Sequence, residues 1–338
     1  MKFDKYEWTA ISIMVSLFIL VGFIQGWSVS LVILNMCIIS AIMTMGVNIS
    51  WGYAGVINFG VMGFLAMGGL AAVLVSYPPI KEAWQVGGSG LGISFILLIL
   101  LVIAVFFITK LVEKKSHKYW FNGLVILFGL IIIRYFFLNA TAKIEEVDPA
   151  LAGFLGGANL PIIFSWVIGG FFAGGVAFVI GKVALGLRSD YLAIVTLGIS
   201  EIVVSVLKHE EWLSRGVKNV IGLKRPVPYE INLQNSEWFI NMVTWFNSSK
   251  LNNIIDPDTK QEVLNNLIID GSGIFVKLNY ALLFFIVMIV IYYFANKAQI
   301  SPWGRMMRAI RDNEVSANAM GKDIVKQHLI IFVIGAAI

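Results

Sequence analysis

The stretch LGISFILLILLVIAVFFITK, residues 91–110, decides the fold class, because it carries no charged residue before its final lysine. A helix needs about 20 apolar residues to cross the hydrocarbon layer of a membrane, and this run has that length. Peptide groups in hydrocarbon have no water to bond with, so the run must satisfy its own backbone as a helix. The stretch therefore predicts a membrane-spanning helix.

The composition of the whole chain supports this prediction. Of 338 residues, 58% are hydrophobic and 13% are charged, and the mean hydropathy is +0.83. A soluble domain carries about 25% charged residues and could not keep this much apolar surface out of water. The net charge of +5 suits basic cytoplasmic loops and does not indicate nucleic acid binding. Because Cys37 is the only cysteine, no intrachain disulfide can form.

Similar apolar runs predict an all-α, polytopic transmembrane bundle of about eight spans and a partial ninth. The first run lacks a small-residue cleavage site, so we expect an uncleaved anchor rather than a signal peptide. The ninth run is too short to span before the last residue, so we expect a truncated chain. The predicted spans are residues 9–26, 28–48, 52–76, 91–110, 119–139, 161–186, 190–207 and 277–296, and the ninth starts near 326.

Lysine and arginine set the predicted orientation, because short cytoplasmic loops are enriched in both. Basic residues concentrate at 110–118, 182–188 and 297–311, whereas the loop at 140–160 is acidic. Nine alternating segments with a cytoplasmic N-terminus satisfy this pattern. The polar stretch 208–276 then lies outside as a small cap. It is either an insertion without chemistry or a docking surface for an external partner.

This pattern predicts three parts of the chain. The first, residues 1–207, is a transmembrane core with seven spans. The second is the extracytoplasmic loop or cap over 208–276. The third, residues 277–338, holds one span, a cytoplasmic helix over 301–321 and the start of the last span.

Glycine is concentrated at the start of the predicted third span. The sequence WGYAGVINFGVMGFLAMGGLAA, residues 51–72, begins with Gly52, Gly55 and Gly60 and also holds Asn58. Glycine disfavours the helix, and transporters use broken helices with open peptide groups to hold polar substrates. The segment is therefore either part of a substrate pathway or a packing turn.

A second glycine-rich run, GGFFAGGVAFVIG at residues 169–181, has small residues four apart. Gly170 and Gly174 form one such pair, and Ala173 and Ala177 form another. This spacing lets helix backbones approach closely in lipid, so it favours tight packing.

Few charges lie inside the predicted spans. Glu201 follows the start of its run by eleven residues, about 16 Å along a helix, and Arg134 lies deep in another run. Intramembrane ionisable groups are functional candidates by default, although these two could also form a structural ion pair with each other. So few buried carboxylates and histidines do not favour a proton-driven carrier.

The stretch SPWGRMMRAIRDNEVSANAMG, residues 301–321, is a charged segment that directly precedes the last apolar run. Ser301 followed by Pro302 predicts a capped helix start. Such an amphipathic helix fits either the groove of a partner or a surface of anionic lipid. Its polar side holds Arg305, Arg308, Arg311 and Glu314, and its apolar side holds Met306, Met307 and Ile310.

The chain has no visible catalytic or nucleotide-binding motif. The segment GVAFVIGKV, residues 175–183, has five residues between its glycines, and Val183 stands where a phosphate-binding loop needs a hydroxyl. We therefore expect no enzyme activity and no cofactor. Any ATP hydrolysis would come from another chain.

Three blocks of this sequence resemble the permease subunits of bacterial ATP-binding-cassette importers for branched-chain amino acids. The resemblance is closest to the larger of the two permease types, and the order and separation of the blocks agree. The blocks are NISWGYAGVINFGVMGFLAMGG at 48–69, GLRSDYLAIVTLGISEIV at 186–203 and SPWGRMMRAIRDNEVSANAMGKD at 301–323.

The resemblance implies a role for each block. The third block looks like the coupling helix that transmits ATP-driven closure, with the pattern E-x-x-A-x-x-x-G at Glu314, Ala317 and Gly321. The implied ATPase-coupling residues are Arg305, Arg308, Arg311, Glu314, Ala317 and Gly321. The implied substrate-pathway residues are Gly52, Tyr53, Gly55, Asn58, Gly60, Tyr191, Thr196 and Glu201.

The same resemblance implies a bacterial plasma membrane protein with several partners. These are ATP-binding-cassette ATPase subunits, a sister permease, an extracytoplasmic substrate-binding protein and membrane lipid. Two alternatives stay open at this point. The chain could serve an importer for another small polar solute, such as a nucleoside, sugar or amide, or it could be a non-transporting scaffold subunit.

Overall fold

The computed structural model describes residues 5–111, 115–149, 153–187 and 189–338, without the side chains at 7, 111, 115–119 and 189–190. Arg188 and part of the lysine-rich turn at 110–118 thus lie outside the described residues. Every regular element in the described ranges is a helix. The helices are α1 (Lys5–Ile24), α2 (Trp27–Ala54), α3 (Val61–Ser76), α4 (Lys81–Leu111), α5 (Lys115–Glu145), α6 (Ile162–Ala184), α7 (Ser189–His209), α8 (Glu211–Ser214), α9 (Glu230–Gln234), α10 (Glu237–Phe246), α11 (Ser248–Asn252), α12 (Pro257–Ile300), α13 (Pro302–Asp312), α14 (Glu314–Ala319) and α15 (Ile324–Ala337).

The helices confirm the prediction of a polytopic transmembrane protein. Six of them, α2, α4, α5, α6, α7 and α12, are long and apolar enough to cross a membrane. Three shorter apolar helices, α1, α3 and α15, account for the other predicted runs. The predicted third span at 52–76 is interrupted, because α2 continues to Ala54 and α3 starts only at Val61. Gly55 ends α2 in the left-handed conformation, with φ of 73°, which glycine adopts without strain.

The chain forms two compact units. One unit holds residues up to Asn58, 177–193 and 225–338, and its centre is α2, which packs against α12 and α15. Where α2 crosses α15, Gly46 lies against Gly335: a Cβ added at Gly46 would meet the Gly335 carbonyl oxygen at 2.8 Å. Small residues at such a crossing let two helix backbones touch, as lipid-embedded helices commonly do.

The other unit holds residues 59–176 and 194–224. Its main pair is α4 and α5, two antiparallel helices that meet where Gly87 lies against Ile144. The loop that follows α5 is bonded to the start of α4. Its Leu155 carbonyl accepts from the Ile80 N–H and the Trp84 indole N–H, at 3.1 and 3.0 Å. In the part of α6 that belongs to this unit, Ala173 and Gly174 of the predicted small-residue pattern are buried, as the spacing indicates.

The predicted cap at 208–276 is helical rather than a loop over its last twenty residues. Helix α12 starts at Pro257 and continues without interruption into the apolar part of the chain. Asp256 caps this start, and hydrogen bonds from the Thr259 hydroxyl and N–H lower the pKa of its carboxyl group. The short helices α9, α10 and α11 pack on α12 around a buried cluster of Val227, Leu233, Phe239, Val243, Ile268 and Val276.

Candidate functional site

The charged stretch at 301–321 forms two helices rather than the single predicted helix. The predicted start of α13 is confirmed: Pro302 is its first residue, and the Ser301 hydroxyl accepts from the Gly304 N–H at 3.2 Å. Asn313 then leaves the helical conformation and caps α14 through the Ser316 N–H, at 3.0 Å. The break after Asp312 gives α13 and α14 separate directions.

The predicted apolar side of α13 is confirmed by burial. Met307 and Ile310 are fully buried, while Met306 is half-buried. Gly304 lies directly on the end of α12, where an added Cβ would meet the carbonyl oxygens of Ala298 and Gln299 at 2.4 Å. This helix is therefore held tightly against the ends of the spans.

The three arginines of α13 hydrogen-bond to the carbonyl ends of two spans. Arg305 donates to the Ile300 carbonyl at 2.9 Å, and Arg308 donates to the Gln299 carbonyl at 3.4 Å. Both acceptors lie in the last turn of α12. Cations are favourable at a helix C-terminus, where carbonyls lack helical partners and the helix dipole is negative.

Arg311 makes the corresponding contact with α2. Its Nη1 donates to the Gly52 carbonyl at 2.7 Å, and a Cβ added at Gly55 would meet its Cγ at 3.0 Å. Asp312 orients the guanidinium from the other side, at 2.9 Å. Arg311, predicted as a coupling residue, thus touches two residues predicted for the substrate pathway.

Helix α14 presents the most exposed part of this region. The side chains of Val315 and Met320 are 82% and 81% exposed, and Glu314 is exposed beside them. Ala317 is half-buried, and Gly321 ends the segment with a φ of 75°. The segment therefore presents a charged and two apolar side chains to its surroundings.

The start of α3, after the glycine break, is held by hydroxyl groups of α7. Thr196 accepts from the Phe59 N–H at 3.2 Å, and Ser200 accepts from the Gly63 N–H at 2.7 Å. These two positions are four apart and lie on one face of α7. The Gly63 N–H also bonds to the Gly60 carbonyl, at 3.1 Å, so the two hydroxyls add bonds from α7 to the segment that leads into α3.

Gly52 and its neighbours form a second polar contact near the end of α2. The Asn48 amide donates to the Tyr53 hydroxyl at 3.3 Å. A Cβ at Gly52 would meet the Asn48 Oδ1 at 1.9 Å, so a larger residue there would make the Asn48 side chain move. Asn58, within the break, is buried, whereas Gly60 is the residue before α3.

The remaining predicted site residues are not gathered with these. Tyr191 is 61% exposed, and Glu201 is exposed on α7. The ion pair considered for Glu201 and Arg134 is not formed: the ion pairs among the described side chains are Lys218–Glu211, Arg225–Glu230 and Arg311–Asp312.

Two cavities border these elements. One of about 420 Å³ lies under α13, between apolar side chains of α2, α12 and α15 such as Ile49, Ile291 and Ile334. The other, of about 370 Å³, lies between α3, α7 and the loop after α8. Its wall combines Gly69 and Leu70 with the polar Lys208 and Asn219. Both volumes lie in the range of small-molecule sites.

The sequence interpretation missed two kinds of residue. Ser200 lies one turn after Thr196, and only the i, i+4 spacing of two hydroxyls on an apolar helix could have suggested it. Lys208, Asn219 and Gly69 line a cavity that depends on long-range packing, so no local pattern indicates them.

The chain has long apolar helices with few charges, and a charged segment lies between two of its apolar helices. These features define the class: a polytopic helical membrane protein. The family described as "Branched-chain amino acid transport system / permease component" matches residues 29–338. The chain therefore belongs to this permease family.

Two curated relatives agree with that membership. Both are described as "High-affinity branched-chain amino acid transport system permease protein LivM", one from Escherichia coli K12 and one from Salmonella typhimurium LT2. The chain is 28% and 27% identical to them over 170 residues, which is 50% of this chain and 36% of each relative's length. No solved structure matches the chain.

Proposed function

We propose that this chain is a membrane permease subunit of an ATP-binding-cassette importer for branched-chain or other hydrophobic amino acids. It moves its solute by alternating access, and ATPase subunits on separate chains drive the movement. A sister permease completes the pathway, and an extracytoplasmic binding protein delivers the solute. The observation that carries the proposal is the family match, which spans both the helix bundle and the α13–α14 segment.

The proposed orientation has the N-terminus and α13 in the cytoplasm of a bacterium and the cap outside its plasma membrane. The distribution of basic residues over the short loops supports this orientation. In it, α14 faces the ATPase subunits with Glu314, Val315 and Met320, all exposed. Helix α13 then passes on the movement, because its arginines bond to the ends of α2 and α12.

The glycine break is the proposed gate of the substrate pathway. Gly55, Asn58 and Gly60 lie in the break, and Gly52 and Tyr53 lie in the last turn of α2 before it. Arg311 contacts this helix end, so a shift of α13 reaches the break directly. Thr196 belongs to the same pathway, because its hydroxyl accepts from the break at Phe59. Tyr191 and Glu201 are the exposed members of the set on α7.

Charge reversal at Glu314 tests the coupling assignment. We expect Glu314→Lys to abolish amino acid uptake by the assembled complex while membrane insertion stays normal, because the docking surface then carries the wrong charge. Glu314→Gln, which keeps the shape of the side chain, separates charge from local packing. Glu262→Lys is the matched control, since Glu262 is an exposed glutamate near the start of α12, in the cap.

Uptake at the wild-type level in Glu314→Lys would contradict the coupling assignment. Gentle purification of the tagged chain from its native membrane tests the wider proposal, with identification of the proteins that accompany it and an ATPase assay. Co-purified ATPase subunits whose activity responds to amino acids support an importer. Absence of ATPase activity, with residues 305–314 intact or scrambled, would favour a scaffold subunit instead.

A further inference from the structure

Helix α10 in the cap has two apolar faces, and the fold buries only one of them. Phe239 and Val243 point into the buried cluster on α12. On the adjoining face, Trp238, Met242 and Trp245 recur at the i, i+4, i+7 spacing of one helix side, and each is exposed. Phe246 widens this face, and its side chain is 78% exposed. Four large apolar side chains of α10 therefore stay outside the buried core of the cap.

The level of α10 along α12 indicates what covers this face. Lys277 and Lys297 of α12 enclose 19 residues without a charge, which rise about 28 Å. A bilayer has a hydrocarbon layer of about 30 Å, so the two lysines mark its boundaries. Lys277 also bonds to Ser28 at the start of α2, which puts the tip between α1 and α2 at the same boundary.

Trp238 lies at this boundary. Its ring meets the ring of Phe275 at 5.8 Å between centroids, and Phe275 is two residues from Lys277. Phe275, Leu278 and Leu282 share one face of α12, and the two leucines are exposed between Lys277 and Lys297, where they border an open apolar groove beside α1 and α2. The open face of α10 is thus continuous with a lipid-facing surface.

The chemistry of the face fits that layer. Tryptophan prefers the region of lipid headgroups, where its ring is apolar and its indole N–H stays hydrated. The remaining side of α10 is polar, with Glu237, Asn241 and Thr244. With no basic residue, a helix of this distribution can contact lipid through its apolar side, without attraction to anionic headgroups.

We propose that α10 is an interfacial anchor of the cap, with Trp238 and Met242 in the phospholipid headgroup layer next to the Lys277 end of α12. Because Val243 lies near Gly271 and Trp238 near Phe275, α10 runs outward along α12. Trp245 and Phe246 therefore lie at the outer edge of the layer. The anchor fixes the height of the cap over the membrane.

Spin-label accessibility tests this directly in the full chain. In a Cys37→Ser background, single cysteines replace Trp238, Met242, Trp245 or Asn241, and each is labelled in vesicles of phosphatidylcholine and phosphatidylglycerol. All four positions are exposed, so the buried face stays intact. Collisions with oxygen report lipid, and collisions with a water-soluble nickel complex report water.

We expect nickel collisions at 242 to be about threefold or more below those at 241, the adjacent polar position, since lipid excludes the complex. Protection should be greatest at 238 and weakest at 245. Equal nickel access at 242 and 241 would overturn the proposal. That result would mean that a protein partner covers the face instead. A fall in nickel access at 242 on adding the purified binding protein would identify that partner.

Discussion

Helices α13 and α10 are both short and amphipathic, and both pack on α12, but different interactions hold them there. Helix α13 buries Met307 and Ile310 and is also bonded through its arginines to backbone carbonyls at the ends of α12 and α2. Among the described residues, the contacts between helix α10 and α12 are apolar and run through Phe239, Val243 and the ring of Trp238. Backbone contacts fix direction and register, whereas apolar burial is non-directional.

The difference separates two tasks. A segment that transmits a displacement needs directional bonds to what it moves, and α13 has them. A segment that rests on a fluid layer needs apolar area, and α10 keeps four large side chains open. Substitutions in each helix test whether the two are held in these different ways.

The largest expected effect is in α10. Phe239 is fully buried, so Phe239→Ala should lower the free energy of unfolding of the cap by about 3–5 kcal/mol. Phe246→Ala on the same helix removes an exposed ring and should change the free energy of unfolding by no more than about 0.5 kcal/mol. Denaturant unfolding in detergent micelles measures both. Equal values would mean that the cap core is not where α10 is held.

A somewhat smaller effect is expected in α13. Met307 is fully buried against the ends of the spans, and Met307→Ala should cost about 2–5 kcal/mol. Met320→Ala is its control, because that side chain is 81% exposed. The cavity under α13 lets neighbours relax, so a value in the lower part of the range is expected. A neutral Met307→Ala would argue against a packed α13.

The smallest effect concerns the arginines. Arg311→Gln should remove one hydrogen bond worth about 1 kcal/mol and loosen the end of α2. Hydrogen exchange at the Gly55 and Val56 amides should then speed up several-fold, since those amides bond to the last turns of α2.

Arg305→Gln is the matched control for Arg311, because Arg305 bonds to the end of α12 instead. It should speed exchange near Ser301 and leave Gly55 unchanged. Were both variants to affect the same amides, the arginines would act through α13 as a whole rather than through separate helix ends.

Much of this fold follows from the sequence, because the membrane imposes a simple length rule. Runs of apolar residues predict the nine apolar helices, and Ser301 with Pro302 predicts the start of α13. The glycine cluster at 52–60 indicates the break. The exact end of α2 was not predicted, because Gly55 and not Gly52 adopts the left-handed conformation.

The site was less predictable, because it depends on contacts between distant segments. Sequence favoured an outward role for the three arginines, yet they bond to carbonyls of the same chain. Asn313 divides the expected single helix, since its side chain caps α14 better than it continues α13. Ser200 and Gly63 are 137 positions apart, and no local pattern reports such a pair.

The length of α12 has a mechanical consequence. Its 44 residues rise about 66 Å without interruption, from the cap core to Ile300, which Ser301 separates from α13. A tilt of about 5° around the middle of a rigid rod of this length displaces each end by roughly 3 Å, in opposite directions. Because α12 is one continuous helix, a tilt applied at its cap end would also move the end next to α13.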